Sequence, residues 1–589
     1  MKNNISVINK NVLFVELFFV YCWLSNLMGT DSYYSVYLVC ALVGAACLCN
    51  NAWTRPVFTG WAPVLANLLS AMFALATVMA NYPLFEPVTG LLNLVNGSCS
   101  LIGGFFLARG VLLCALHHLP KPACRPGQKS GTAVFLLFFA AIAGVFLLFL
   151  FSTGYPVYLA SDSIASMSQI QSGIYSNSHP YWYTRFIELW LRLGLLFTRD
   201  LNAVCAVYSV VQCLILAACF AYALLTMYQA GIPRWCIAVT LFMYSCLSYN
   251  LTYSITMWKD TLFGGFSLLL ITSLYRILRQ IGKRKRLNYT VFALAGIGFC
   301  LIRHNGLPMF LLLTAGMVFV LGKKRKKLLL LAASVLVFSW IMTGPAIEAL
   351  GIADTEITEK LAVPLQQIAR VVANDCPVSE SDKALLENIF WLDRVKELYS
   401  PEIVDPIKFE TIHESGRAWI SAHPGAFLKL WVRLGLQNPG AYFKAWVELT
   451  KGYWNGGFSY WMYIRWTYPD ITGIGVTLNN PLRSLFEALI RYTEKPVILQ
   501  SFYSIGLQVW LIFGCGCVCL VRKREEFLVC LPLVGLSIGL WFIAPVYAEF
   551  RYAYPMFVSC PLILSMTAFG GPVSSASEPV PAKRKDTDT

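Results

Sequence analysis

The 589-residue chain is 57% hydrophobic and only 13% charged, which excludes an ordinary soluble domain. Its formal net charge of +15 would point to nucleic acid in a soluble protein. Here the Lys and Arg residues gather in short loops between apolar runs, the positive-inside signature, so the charge speaks of topology and no nucleic-acid partner is expected.

The runs lack two-residue alternation, which argues against a barrel and for an all-α polytopic membrane protein. A spanning helix needs about 20 mostly apolar residues, and the sequence offers 14 candidate spans. Runs near 11–29, 34–50, 61–80 and 90–116 form a four-span N-terminal extension, 1–130. Residues 1–30 turn apolar after MKNNISVINK with no small-residue cleavage site, and read as a retained span. Runs near 131–152, 201–227, 236–250, 261–275, 288–302, 306–322 and 328–346 make a core, 131–346, with a first loop at 153–200. A polar segment at 347–495 follows, then three spans near 497–520, 527–545 and 554–570 within 496–570, and a polar tail, 571–589.

With the N-terminus inside, the basic stretches 117–129, 276–286, 323–327, 521–525 and 583–585 all fall in the cytoplasm. The expectation is a multi-pass plasma-membrane protein with both termini cytoplasmic. Outside then lie the first loop, the turns around Lys259, Arg303 and Arg551, and segment 347–495, which holds 18 of the 31 acidic residues. That segment reads as mostly helical. In SDKALLENIFWLDRVKELY a Ser or Asp cap precedes Leu385, Ile389, Leu392 and Val395 at helical spacing, as one continuous helix. Of the 19 cysteines only Cys376 falls in this segment, so an internal disulfide is impossible there; no zinc spacing appears.

The first loop carries SDSIASMSQIQSGIYSNSHP (161–180), with Asp162 and His179 beside hydrocarbon, where ionisable groups usually handle ions, protons or substrates. A partly desolvated carboxylate has a raised pKa and can act as a general base; the structural alternative is that Asp162 caps a helix starting at Ser163. Downstream, Tyr183, Phe186, Ile187, Trp190 and Leu191 form one apolar face opposite Arg185, Glu188 and Arg192. This predicts an interfacial helix with Glu188 paired to Arg192.

Lys and Arg are disfavoured in short outside turns, yet Lys259 (MWKDTLF), Arg303 (IRHNGLP) and Arg551 (AEFRYAYP) lie there. A phosphate would hold them, Arg in bidentate fashion and Lys as a point charge. The alternative is pairing with Asp260 and Glu549, or snorkelling to headgroups. Asp260 could also cap the helix starting at Thr261. His179 and His304 could bond phosphate or merely satisfy interfacial backbone groups.

With these residues placed, the chain resembles the GT-C superfamily of multi-span glycosyltransferases that use lipid-linked sugar donors. The resemblance covers roughly 131–570 and lies in the SDS…SHP loop, WKD, RxNG, PLQQIAR (364–370), GYW (452–454), ExRY and the late outside domain. It implies that Asp162 is catalytic and that Lys259, Arg303 and Arg551 contact the donor phosphate; beside them His304 is expected as a further phosphate contact, and His179, Asp260, Glu549 and Tyr552 as supporting residues. The implied reaction moves a sugar from a polyprenyl-phosphate donor to a hydroxyl of a glycan, wall polymer or protein at the outer face, with inversion, in cell-envelope glycan synthesis. Many members carry two acids in the first loop, whereas here Asp162 stands alone until Glu188, so neither a metal nor another cofactor is expected. The alternative is a transporter or flippase of a lipid-linked or anionic solute, which would need a polar path that the spans do not offer.

Overall fold

A computed structural model describes residues 12–24, 44, 61–81, 90–118, 131–456 except 283 and 355, 482–493, 501–543 and 548–570. Apart from Gly44, the expected span at 34–50 lies outside the described residues, as does the tail at 571–589. The described chain is helical, with only isolated β-bridges besides.

Three helices make up the N-terminal part: α1 (Val12–Leu24), α2 (Ala62–Ala80) and α3 (Gly90–His118). Next come α4 (Gly131–Phe149), which ends in a π turn at Leu150–Gly154, then two loop helices, α5 (Ser161–Ser172) and α6 (Tyr181–Leu195). The central bundle holds α7 (Leu201–Gln229), α8 (Arg234–Cys246), α9 (Ser248–Ile255), α10 (Lys259–Arg279), α11 (Lys285–Ile302), α12 (Gly306–Leu321) and α13 (Lys326–Thr343). A polar domain follows, built from α14 (Pro345–Ala349), α15 (Ala362–Ala373), α16 (Glu380–Ile389), α17 (Leu392–Leu398), α18 (Asp405–Glu410), α19 (Glu414–Ala422), α20 (Pro424–Gln437) and α21 (Pro439–Trp454). The chain closes with α22 (Arg483–Thr493), α23 (Ile505–Val521), α24 (Leu531–Phe542) and α25 (Phe550–Phe569).

Among the described residues nine helices are long and apolar enough to cross a membrane, or ten if α8 and α9, bent by 48°, count as one span. The shorter apolar α1, α12 and α23 occupy three more of the 14 expected runs. Helices thus occupy 13 of the 14 expected runs, three of them short: the run at 306–322 is apolar throughout, and its helix stops at Leu321 after 16 residues. Many spans turn large apolar side chains outward, such as Leu137, Leu148, Phe319 and Leu330, as lipid-facing helices do.

The described basic loops gather at one end of the bundle. Arg325 donates to the carbonyls of Ile277 and Leu278, Arg279 pairs with Glu526 at 3.0 Å, and Arg524 reaches the carbonyls of Met566 and Thr567. Lys259 and Arg551 begin α10 and α25, at the other end. α10 and α25 approach closely because Gly264 has no side chain: a Cβ there would overlap the Tyr554 ring.

The polar domain has its own core, with Leu365, Ile368, Val371, Leu386, Ile389, Ile420, Phe427 and Leu430. The single helix expected across 381–399 is broken in two. Ser379, not Ser381 or Asp382, caps α16 by accepting from the Asp382 amide at 3.2 Å. Phe390 and Trp391 are extended, and their backbone finds partners across the chain: Trp391 N donates to Thr411 O at 2.9 Å and His413 N to Ile389 O at 3.0 Å. Long-range pairing thus overrides helical spacing.

The other interruption lies inside the bundle. α9 ends at Ile255 and α10 starts at Lys259, leaving carbonyls without helical partners in an apolar setting, where each unsatisfied group is costly. Gln212 of α7 resolves this: its Nε2 donates to Tyr253 O, Ser254 O and Thr256 O at 3.1, 3.1 and 2.7 Å. Tyr208 donates to Gln212 Oε1 at 2.7 Å and fixes the amide orientation. Gln212→Leu keeps the bulk and removes the donor. We expect it to destabilise the purified protein by about 1–3 kcal/mol, read as a lower Tm, while Tyr208→Phe costs less.

Candidate active site

The break that Gln212 stabilises also pairs with the first loop. Tyr158 N donates to Ile255 O and Met257 N to Tyr158 O, both at 2.9 Å, so segments 155–160 and 255–257 run side by side. Ser163 Oγ accepts from Ala160 N at 3.0 Å and donates to Met257 O at 2.7 Å, clamping the start of α5 to the start of α10. Asp162, in the first turn of α5, therefore faces Lys259, the first residue of α10. Neither carboxylate read as a possible cap is one: the residue before α5 is Ala160, the residue before α10 is Trp258, and Asp162 and Asp260 each occupy the first turn.

Lys259 Nζ donates to Asp162 Oδ2 and Arg551 Nη1 to the same oxygen at 3.0 Å, with His179 Nδ1 at 3.9 Å. His179 Nδ1 is also 3.3 Å from Lys259 Nζ. Oδ1 of Asp162 takes none of these contacts. The group is recessed but not sealed, with Asp162, Lys259 and Arg551 side chains 15%, 14% and 13% exposed.

Two further ion pairs lie behind it. Arg551 Nε meets Glu549 Oε2 at 2.7 Å, and Arg303 Nη1 meets Asp260 Oδ1 at 2.7 Å with Asp260 fully buried. Tyr552 lies between the two guanidiniums: its hydroxyl accepts from Arg551 Nη2 at 3.1 Å, and its ring centroid is 4.5 Å from the Arg303 guanidinium carbon. Trp258 lies 5.0 Å from the Arg551 guanidinium carbon. These ring contacts help hold cations in an otherwise dry setting. His304 Nε2 is 3.0 Å from Asn177 O, and Asn177 N donates to Ala353 O, so His304 ties the loop and polar domain together and makes no contact with Asp162.

The four residues singled out by charge and position, Asp162, Lys259, Arg551 and His179, thus meet in one cluster, while Arg303 is engaged by Asp260. Two residues of the site carried no assigned role in the sequence. Trp258 adjoins the WKD lysine, and Tyr453, within GYW, accepts the Glu549 amide at 3.2 Å. Aromatic residues abound in this chain, so composition does not mark these two out. Glu188, read as part of a polar face, is buried; Arg192 at 2.6 Å, Arg185 and the Tyr175 hydroxyl at 2.9 Å surround it.

Burial would raise the Asp162 carboxyl, but Lys259 and then Arg551 overcome it and hold the group below the usual carboxylate range. The raised value expected from desolvation is thereby reversed. Burial dominates at Glu549 and raises it, against the Arg551 charge. Burial and Lys259 push His179 down to about 4, against the attraction of Asp162. Burial and Lys259 also take His304 to about 4. Among the described residues no group of three or more His, Cys, Asp or Glu is placed to hold a metal ion.

A family described as of unknown function, DUF6020, matches residues 167–583. The chain belongs to that family. The DUF6020 match takes in Lys259, Arg303, Arg551 and the polar domain and begins just after Asp162, within α5. No curated protein and no solved structure matches the chain.

Two outcomes follow from this geometry. Arg303→Gln leaves Asp260 buried and unpaired, and we expect a loss of about 3–5 kcal/mol; the double variant Arg303→Met, Asp260→Leu recovers most of it, as thermal melting of purified protein will show. The histidines titrate lower when folded than unfolded, so the unfolded state gains protons first as pH falls. Stability should decline between about pH 6.5 and pH 4, and His179→Gln should flatten that decline in a Tm-against-pH series.

Proposed function

We propose that the chain is an integral membrane glycosyltransferase of GT-C type, moving a sugar from a polyprenyl-phosphate donor to an acceptor hydroxyl at the outer face. The observation that carries this reading is the sharing of Asp162 Oδ2 by Lys259 and Arg551 while Oδ1 stays clear of both. A carboxylate and two cations at the rim of an apolar bundle suit a substrate with a phosphate to bind and a hydroxyl to deprotonate.

The donor phosphate draws Lys259 and Arg551 toward itself. As they turn from the carboxylate, the charge that depresses its pKa weakens, and Asp162 becomes a stronger base once the donor is bound. Oδ1 takes the acceptor proton, the acceptor oxygen bonds to the anomeric carbon from the face opposite the phosphate, and the bond between that carbon and the phosphate oxygen breaks. The products are the inverted glycoside, a protonated Asp162 and a polyprenyl phosphate whose negative charge Lys259 and Arg551 stabilise. Glu549 and Tyr552 orient Arg551. His179, neutral at pH 7, receives a hydrogen bond or gives one according to its tautomer. Arg303 supports the floor through Asp260 and Tyr552, a structural role more than a direct phosphate contact.

In this reading the end of the bundle that carries Asp162 faces outward and the basic loops face the cytoplasm. Cysteines introduced at positions 170 and 380 should both react with an impermeant maleimide on intact cells; protection of either reverses the orientation. Purified Asp162→Asn should still fold, with a lower Tm because Lys259 and Arg551 lose their shared carboxylate, and should lose transfer from polyprenyl-phosphate sugars by about 100-fold or more. Turnover equal to wild type would remove Asp162 as the base. Movement of an intact lipid-linked substrate across vesicles, without sugar transfer, would establish the transporter alternative instead.

A further inference from the structure

The polar domain contains a cleft of about 1030 Å³, far from empty of chemistry and outside the site described above. It opens where the chain breaks between α16 and α17. Because Phe390 and Trp391 pair with the 411–413 backbone, Trp391 cannot continue a helix into the domain core, and its side chain stays 44% exposed along the cleft. One edge of the ring is fixed by His413, whose ring centroid is 4.4 Å away, and the Arg394 guanidinium carbon lies 5.7 Å from its centre. A large aromatic surface is thus oriented in an open channel at the expense of its own burial.

The charged lining points to the ligand class. Asp375 and Lys396 pair with each other on one wall. Glu380, Glu387, Asp393 and Lys383 also line the cleft, and among the described residues they engage no partner. Acids and bases nearly balance. An anionic polymer meets four carboxylates and a cationic peptide meets Lys383, Arg394 and Lys396, so neither is favoured. A polyhydroxylated ligand suits both signs, since each hydroxyl accepts from an ammonium or guanidinium and donates to a carboxylate. The C–H face of a pyranose packs on the negative face of an indole. Clefts with a flat aromatic and a few convergent polar groups are ready binding sites.

We propose that this cleft binds an oligosaccharide laid across Trp391. It is separate from the reaction centre. On α15, Gln367 donates to Tyr442 O, at the start of α21, whereas Tyr453 near the end of α21 meets Glu549; about 16 Å of helix separates the two contacts, and the cleft begins further along α15, at Val371. The cleft therefore holds a chain of several sugars at a distance from Asp162. That its physiological ligand is the acceptor glycan rests on the glycosyltransferase reading; the binding itself does not.

The test uses full-length protein purified in detergent, with maltohexaose and chitohexaose as probes in calorimetric titrations. At least one should bind, Trp391→Ala should weaken it about tenfold or more, and Trp391→Phe should retain most of the affinity. Glu387→Gln with Asp393→Asn should weaken it without lowering Tm, which covers the case in which Trp391→Ala misfolds. Asp162→Asn should bind as wild type. No binding of either probe at about 10 mM, a range weaker than any useful affinity, overturns the proposal. So does wild-type binding by folded Trp391→Ala, or displacement of the sugar by hexalysine or hexaglutamate. Sugar binding that depends on Trp391, in a protein without transferase activity, sinks the reaction assignment alone.

Discussion

An apolar bundle offers no water to a backbone that stops being helical, and this constraint shapes the centre of the molecule. The chain leaves the helical path between Ile255 and Lys259, and everything nearby supplies what the lost turns would have supplied. Gln212 takes three carbonyls, the 155–160 segment pairs alongside, and Ser163 seals the junction. Because those same partners carry Asp162, the repair of the break and the placement of the carboxylate beside Lys259 are one arrangement. A continuous helix would have removed the need for the loop to dock there.

Charge balance is the second organising condition. Three carboxylates, Asp162, Asp260 and Glu549, face three cations, Lys259, Arg303 and Arg551, in a setting where an unpaired charge is strongly disfavoured. The pairs are unequal. Asp260 with Arg303 is buried and closed, whereas Asp162 is exposed enough to exchange partners. Glu549 is the acid that burial drives toward its neutral form.

The spans were legible because continuous apolarity is a strong signal, and the all-helical class with them. Their lengths were less so, since runs such as 306–322 are apolar without being long helices. The break at 256–258 was invisible: Thr256, Met257 and Trp258 look no different from span residues, and the group that permits the break lies more than 40 residues away at Gln212. The kink at Phe390 was hidden for the same reason, its partners being at 411–413. In the site, position against the charge rule drew Lys259, Arg303 and Arg551 together. Which acid each would choose depends on side-chain geometry that spacing does not carry. The direction of the Asp162 shift likewise required knowing that two cations share one oxygen.

The Tyr453 hydroxyl accepts the amide of Glu549, so the last helix of the polar domain touches the residue that steadies Arg551. The polar domain is therefore no detachable accessory. Its final turn is joined to the residue that precedes α25. Separating the end of α21 from the start of α25 would break that hydrogen bond, so the polar domain and the last span are anchored to each other at Tyr453.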